Sequence, residues 1–345
     1  MSHKLMCILL VITLLDTFFV LCAALDRRFL NDTIPPEELI RMMEGVKKTR
    51  YLLRNRSNNQ WFSLSRRDPI PENIWVSGGD VKLIIHGYTF KEWQTTEEKI
   101  GEQGIFDLGI AYSLKNASSN VILLDWTILS TEPISRYFEA AQSTRFIGRD
   151  AALFLVRLAK EGYITDWDRV HIIGFSLGGH TVGVVGHEVQ ELAGSKIGRI
   201  TGLDPAGPLF DIRGEMPGDL TRFLDKEDGK FVDIIHCNMR VPPSPIVGFL
   251  GSCLQAGHVD FYPDGGESQS GCTKEQDRTG SPCSHFKCVE YMTKSIRDKF
   301  LACPCENWNT FKQGKCECSF QSGGVLMGDP CCEPSASGQY YIQMK

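Results

Sequence analysis

Ser176 stands between two glycines in the stretch HIIGFSLGGH, residues 171–180. An apolar run ends there in Gly174-Phe175-Ser176-Leu177-Gly178, the G-x-S-x-G pattern that holds a serine hydroxyl on a sharp strand-to-helix turn. Small residues suit any tight turn, so the serine needs partners before it reads as a nucleophile. A hydroxyl is activated by a neighbouring base, and the base by a group that orients it. In chains of this pattern the order is Ser, acid, His. Asp204, in TGLDPAG, follows the next apolar strand and is the candidate acid, although Asp before Pro is also a common turn residue. Asp125 also ends a strand but precedes Ser176, which makes it the reserve. Three histidines follow Asp204. His236 lies inside an apolar strand and His258 opens a short strand-turn element, so both read as structural. His285, in SPCSHFKCVEYMTKSI, sits at a helix start next to Cys283 and is the candidate base. A tetrahedral intermediate would need two N–H donors, which Leu177 and the IIHGYTF loop, through Tyr88, could supply. The chemistry these residues could perform is acyl transfer to serine.

The elements needed to position them are legible as alternating patterns. Apolar runs at 81–87, 120–126, 169–174, 197–204 and 231–237 read as buried strands. The stretches 144–163 and 177–194 read as helices. Buried strands alternating with helices predict a mostly parallel, doubly wound sheet, with functional loops at the strands' C-terminal ends. Residues 25–60 are polar and mixed, and from about 303 the chain turns cysteine-rich with little periodicity, as in a disulfide-stapled appendage.

Composition bounds the rest. The chain has 345 residues, 42% hydrophobic and 23% charged, an ordinary globular balance. A net charge of −5 without basic runs argues against a nucleic-acid partner. Residues 1–24 carry Lys4, an apolar stretch and the small residues Ala23 and Ala24, the pattern of a signal peptide. A signal anchor is the rival reading, opposed by Asp16 within the apolar stretch. Of 13 cysteines, Cys7 and Cys22 fall in this segment and the other eleven lie between Cys237 and Cys332. That density suits a secreted protein with disulfides, and the odd count leaves one thiol over. Asn31, Asn55 and Asn116 head glycosylation triplets that fit the same route.

Taken together, IIHGYTF, GFSLGGH, IGRITGLDPAGPLF, KFVDIIH, GHVDFYPDGGE and CSHFKCVEYMTKSI resemble the pancreatic lipase family, in family order, over roughly residues 70–300. The resemblance implies an α/β-hydrolase fold over 25–302 and hydrolysis of lipid carboxylic esters. It implies Ser176, Asp204 and His285 as the triad, with the Tyr88 and Leu177 amides as the oxyanion hole. Members often hold a structural calcium just before KFVDIIH. Here Asp219, Arg222, Asp225 and Asp228 match that stretch, with one extra residue between Arg222 and Asp225. No cofactor is expected for the chemistry.

The family lid lies between two cysteines that match Cys272 and Cys283, which implies that these two are bonded. Only ten polar residues, TKEQDRTGSP, separate them, so the resemblance implies an open site with little interfacial activation. Such short lids accompany phospholipase A1 or galactolipase activity. The neighbouring loop 237–257 is instead long and apolar, as in triacylglycerol lipases, and a Cys237–Cys253 bond is expected to staple it. The chain stops at GQYYIQMK, where the family's C-terminal β-sandwich would begin, so 303–345 is read as tail alone and colipase docking is not expected. The partner implied is a glycerolipid at a lipid–water interface, triacylglycerol or phospholipid. Some relatives keep the fold without the triad as lipid-binding or storage proteins, which is the alternative reading.

Overall fold

The computed structural model describes residues 34, 36–89, 104–116, 118–131, 136–211, 222–239, 250–278, 282–331 and 335–344. In chain order the elements are α1 (Pro36–Lys47), β1 (Arg50–Asn55), β2 (Gln60–Leu64), β3 (Asp80–Ile85), α2 (Ile105–Lys115), β4 (Ser119–Asp125) and α3 (Thr127–Ser130). Then come α4 (Tyr137–Lys160), β5 (Val170–Phe175), α5 (Leu177–Ala193), β6 (Ile197–Leu203), β7 (Gly229–Ile235) and β8 (Val259–Pro263). The chain closes with α6 (Lys274–Arg278), α7 (Cys283–Ser295), β9 (Phe300–Pro304), α8 (Trp308–Lys312), β10 (Val325–Met327) and β11 (Gly338–Ile342). Among these residues no helix is long and apolar enough to cross a membrane.

One sheet of 11 strands runs in the order β10-β9-β11-β8-β7-β6-β5-β3-β4-β1-β2. From β4 to β11 neighbouring strands are parallel, while β1–β2 and β9–β10 add antiparallel edges. This is the sheet of an α/β hydrolase. The apolar runs are continuous because the central strands are covered on both faces. In β3, Leu83 and Ile85 point to one core and Ile84 to the other, as the two-residue period of a strand requires. The first core receives Ile147, Phe154 and Leu155 of α4 and Val182, Val185 and Val189 of α5. The second receives Ile105 and Leu108 of α2 and Val289 and Met292 of α7.

The five predicted strands match β3 to β7, and 177–194 matches α5. Helix α4 begins at Tyr137, earlier than the expected 144. Its first turns contain Gln142 and Ser143, polar residues that dilute the periodicity yet are buried, Ser143 Oγ donating to Glu139 O at 2.8 Å. Strands β1 and β2 have no signal in the polar stretch 25–60 because they form a twisted edge, with β2 largely exposed.

The cysteine-rich tail enters the sheet. Cys303–Cys318 and Cys305–Cys316 staple it, and β11 pairs with β8 in parallel register, Gly338 opposite Val259. A buried ion pair anchors the preceding loop: Arg199 of β6 donates to Asp233 of β7 at 2.8 and 2.9 Å and to Gly328 O at 2.8 Å. The tail strand was hidden in the sequence because five residues between turns carry too little pattern to separate from loop.

Candidate active site

Helix α5 starts directly after β5, and Ser176 occupies the single residue between them. Its φ is +55° and its ψ −118°, a conformation L-residues avoid, held here by hydrogen bonds on both sides. Ser176 N donates to Leu203 O at 3.0 Å, and Ser176 O accepts from Gly179 N at 2.9 Å and Ala206 N at 3.2 Å. The turn closes so tightly that a Cβ on Gly174 would lie 2.0 Å from Gly178 O. The flanking glycines are therefore steric requirements of the turn.

Asp204 ends β6 on the same side of the sheet and is fully buried, with its N donating to Ile235 O at 2.7 Å. Its Oδ1 accepts from Cys237 N at 2.7 Å and Asn238 N at 3.1 Å. Its Oδ2 lies 2.5 Å from Nδ1 of His285, itself in the first turn of α7. A carboxylate only accepts, so Nδ1 carries the proton and Nε2 is left as the basic nitrogen. The imidazole is buried and leans on Phe175, ring centroids 4.6 Å apart. Thus the elbow serine, an imidazole with a defined tautomer and the carboxylate bonded to it all lie at the C-terminal edge of the parallel strands.

The loop after β3 presses on the serine: a Cβ on Gly87 would meet Ser176 Cβ at 2.7 Å. Tyr88 is next in that loop, and Leu177 is the first residue of α5, whose opening N–H groups have no partner within the helix. Both candidate donors therefore flank Ser176 in sequence or in space.

Sequence reasoning missed the parts that hold these groups. His86 donates from Nδ1 to Gly87 O at 2.8 Å, accepts Trp126 N–H on Nε2 at 3.1 Å, and offers its own carbonyl to Trp126 Nε1 at 2.9 Å. The reserve acid Asp125 serves this loop, 3.7 Å from His86 Nε2 and accepting from Thr127 N and Oγ1. Gly251 backs onto the acid, since a Cβ there would sit 2.4 Å from Asp204 Oδ1. Asp277 of α6 accepts from Ser284 N at 2.7 Å and Ser284 Oγ at 2.8 Å, fixing the N-terminus of α7 one residue before His285. The one available hint was polar residues directly after apolar strands, as at His86.

The other histidines are structural. His236 bridges Ser252 O at 3.0 Å and Asp260 Oδ1 at 2.8 Å, and burial, which would lower its pKa, is outweighed by Asp260. His258 accepts Val232 N at 3.0 Å.

The disulfide expectation needs one correction. Cys272 is bonded to Cys283, but Cys237 is bonded to Cys288 rather than to Cys253. Cys237 ends β7 directly over α7, 5.8 Å between Cα atoms, while Cys253 faces solvent with its thiol 4.0 Å from Asp211 Oδ2. The bond couples the amide that binds Asp204 to the helix that carries His285. Cys331 is in no disulfide among the described residues, and Cys332 lies outside them.

Of the proposed calcium ligands, Asp219 lies outside the described residues. Asp228 Oδ1 accepts from Arg222 Nη2 at 2.5 Å and Oδ2 from Asp225 N at 2.8 Å, while Asp225 Oδ1 caps Glu227 N at 3.0 Å. Both Asp228 oxygens and one of Asp225 are thus engaged by donors of this chain. Asn55 and Asn116 are half-buried at surface turns, each accepting from the serine two residues on. Asn31 and residues 1–24 lie outside the described residues, as do residues 240–249 of the apolar 237–257 loop.

A family model described as "Lipase" matches residues 33–339, nearly the whole chain. The chain belongs to the lipase family. Guinea-pig (Cavia porcellus) pancreatic lipase-related protein 2 is 33% identical over 273 residues, covering 78% of this chain and 56% of the relative. Human pancreatic triacylglycerol lipase is 33% identical over 289 residues, with 78% and 56% covered, and human hepatic triacylglycerol lipase 31% over 322, with 86% and 60% covered. The chain thus spans little more than half the length of the curated relatives it matches. An α/β-hydrolase enzyme from a deep-sea metagenome library aligns at 15% identity and a TM-score of 0.32 over 57% of this chain and 66% of its own, too loosely to add to the topology.

Proposed function

We propose that this lipase-family chain is a secreted hydrolase that cleaves acyl esters of glycerolipids by a serine mechanism. The observation that carries the reading is the 2.5 Å contact between Asp204 Oδ2 and His285 Nδ1, with Asp204 Oδ1 locked by two backbone amides. Nε2 of His285 takes the Ser176 proton as Oγ attacks the ester carbonyl carbon. The oxyanion forms against the Leu177 and Tyr88 amides. His285 then protonates the departing glyceride oxygen, leaving an acyl-Ser176. Water, deprotonated by the same nitrogen, releases the fatty acid and restores Ser176. Asp204 orients the ring through Nδ1 and supports the imidazolium that forms.

Triacylglycerol and sn-1 phospholipid esters are both within this reading. The lid between Cys272 and Cys283 is short and tied to α7 through Asp277, which supports an open site with little interfacial activation. The disulfides support an oxidising, extracellular setting. The test is acyl release by purified protein from emulsified triacylglycerol and from phosphatidylcholine, with Ser176→Ala in parallel. Triacylglycerol preference assigns specificity to the 237–257 loop, phospholipid preference to the short lid. Absence of active-site serine phosphonate labelling in pure, folded protein would instead favour the lipid-binding alternative.

A further inference from the structure

A cavity of about 480 Å³ opens between α1, the segment after β2 and α4, away from the elements that carry Ser176, Asp204 and His285. Its volume falls in the range of small-ligand sites. Met43, Val46, Phe146 and Leu153 line it with apolar surface. Lys47, Arg66, Arg67 and Arg149 line it with cations, against the single carboxylate of Asp150. That carboxylate is engaged by the Tyr51 hydroxyl at 2.7 Å and by Arg66 at 2.6 Å. Arg149 pairs with Glu188 at 3.0 Å, outside the wall. Lys47 and Arg67 are exposed and make no hydrogen bond or ion pair among the described residues.

With Arg66 paired to Asp150 and Arg149 to Glu188, Lys47 and Arg67 leave the site a local +2 in a chain of net charge −5. Such a concentration in a concave site attracts anions. Two further observations point to a ligand with a tail. Thr49, 2% exposed, keeps a hydroxyl with no hydrogen-bond partner among the described residues at this wall, a rare state for a buried polar group. Met43, on the wall, exposes 53% of its surface, and Ile40, three residues earlier on α1, 58%, an apolar surface that a plain anion site does not need.

We infer that this cavity binds an anionic acyl-chain amphiphile, with its headgroup at Lys47 and Arg67 and its chain along Val46, Phe146 and Leu153. A polyanionic sugar or free phosphate would use the cations but leave the apolar wall uncovered. The inference does not depend on catalysis at Ser176.

The test is calorimetric titration of the full chain with monomeric dodecanoate, set against 1-dodecanol and acetate, and co-sedimentation with phosphatidylcholine vesicles with and without phosphatidic acid. Saturable dodecanoate binding is expected, at least tenfold tighter than either dodecanol or acetate. The Lys47→Glu/Arg67→Glu variant should weaken it at least tenfold, about 1.4 kcal/mol. Both residues are exposed, so the variant should fold, and an unchanged melting temperature confirms it. Thr49→Val should weaken binding without lowering stability. If only vesicles containing phosphatidic acid bind, with the same charge sensitivity, the amphiphile is a membrane lipid rather than a free fatty acid. Binding that ignores the charge reversal, or acetate binding as well as dodecanoate, overturns the inference, as does no binding by either anion.

Discussion

Asp204→Asn is the sharpest probe of the site, because the structure decides which way the new amide must face. Oδ1 of Asp204 accepts from Cys237 N and Asn238 N at 2.7 and 3.1 Å. An NH2 group cannot sit against two N–H donors, so the asparagine keeps its carbonyl there and turns Nδ2 toward His285 Nδ1, 2.5 Å away in the wild type. His285 must then accept on Nδ1 and carry its proton on Nε2, the nitrogen that has to receive the serine proton. The base is present, in place, and in the wrong tautomer. The expected loss in kcat is about 10⁴-fold, as for the corresponding change in a Ser-His-Asp protease, or roughly 5.5 kcal/mol of transition-state stabilisation. KM should change little, since the buried amide touches no substrate. The assay is initial-rate acyl release beside the rate of phosphonate labelling of Ser176, with a thermal melt as control. A folded variant within tenfold of wild-type kcat would refute the assignment of Asp204 as the orienting acid.

Replacing Cys237 and Cys288 by Ala opens a disulfide of sequence separation 51. The chain-entropy estimate is about 4 kcal/mol of lost stability, and activity should fall with it because the bond joins the Asp204 amide donor to the His285 helix; denaturant titration and acyl release check both. His180 donates from Nε2 to Ala206 O at 2.7 Å, accepts Leu224 N on Nδ1 at 3.2 Å, and is pushed down to about 4 by burial. Its folded pKa lies below the unfolded 6.5, so its contribution is whole above 6.5 and is lost as pH falls from 6.5 toward 4. About 3 kcal/mol should go in that window, and His180→Gln should flatten that part of the stability–pH curve. Asp233→Ala takes the buried carboxylate from the half-buried Arg199, which keeps Asp329 only at 3.8 Å, and should cost about 3 kcal/mol, read as a fall in denaturation midpoint. Gly174→Ala places a Cβ 2.0 Å from Gly178 O and should abolish activity, with destabilisation of at least about 1–3 kcal/mol seen in a thermal melt.

The sequence by itself determined what is encoded locally. Strands β3 to β7 were legible because both of their faces are buried, which leaves unbroken apolar runs. The elbow at Ser176 was legible because its turn admits only small flanking residues. The chain order of Ser176, Asp204 and His285 narrowed the candidates, and a specific set of motifs completed the choice. What only the tertiary structure decided depends on residues far apart in the chain. The contact of His285 with Asp204 spans 81 positions, and the amides of Cys237 and Asn238 that lock the acid belong to neither motif. Cys237 chose Cys288 over the nearer Cys253 because a disulfide follows the distance between Cα atoms, not separation along the chain. The tail's entry into the sheet was likewise invisible, since β11 takes its partners from β8 and β9 and no five-residue strand announces its neighbours. Local sequence specifies conformation and chemistry residue by residue; the pairing of distant groups is settled only when the sheet and its helices close on one another.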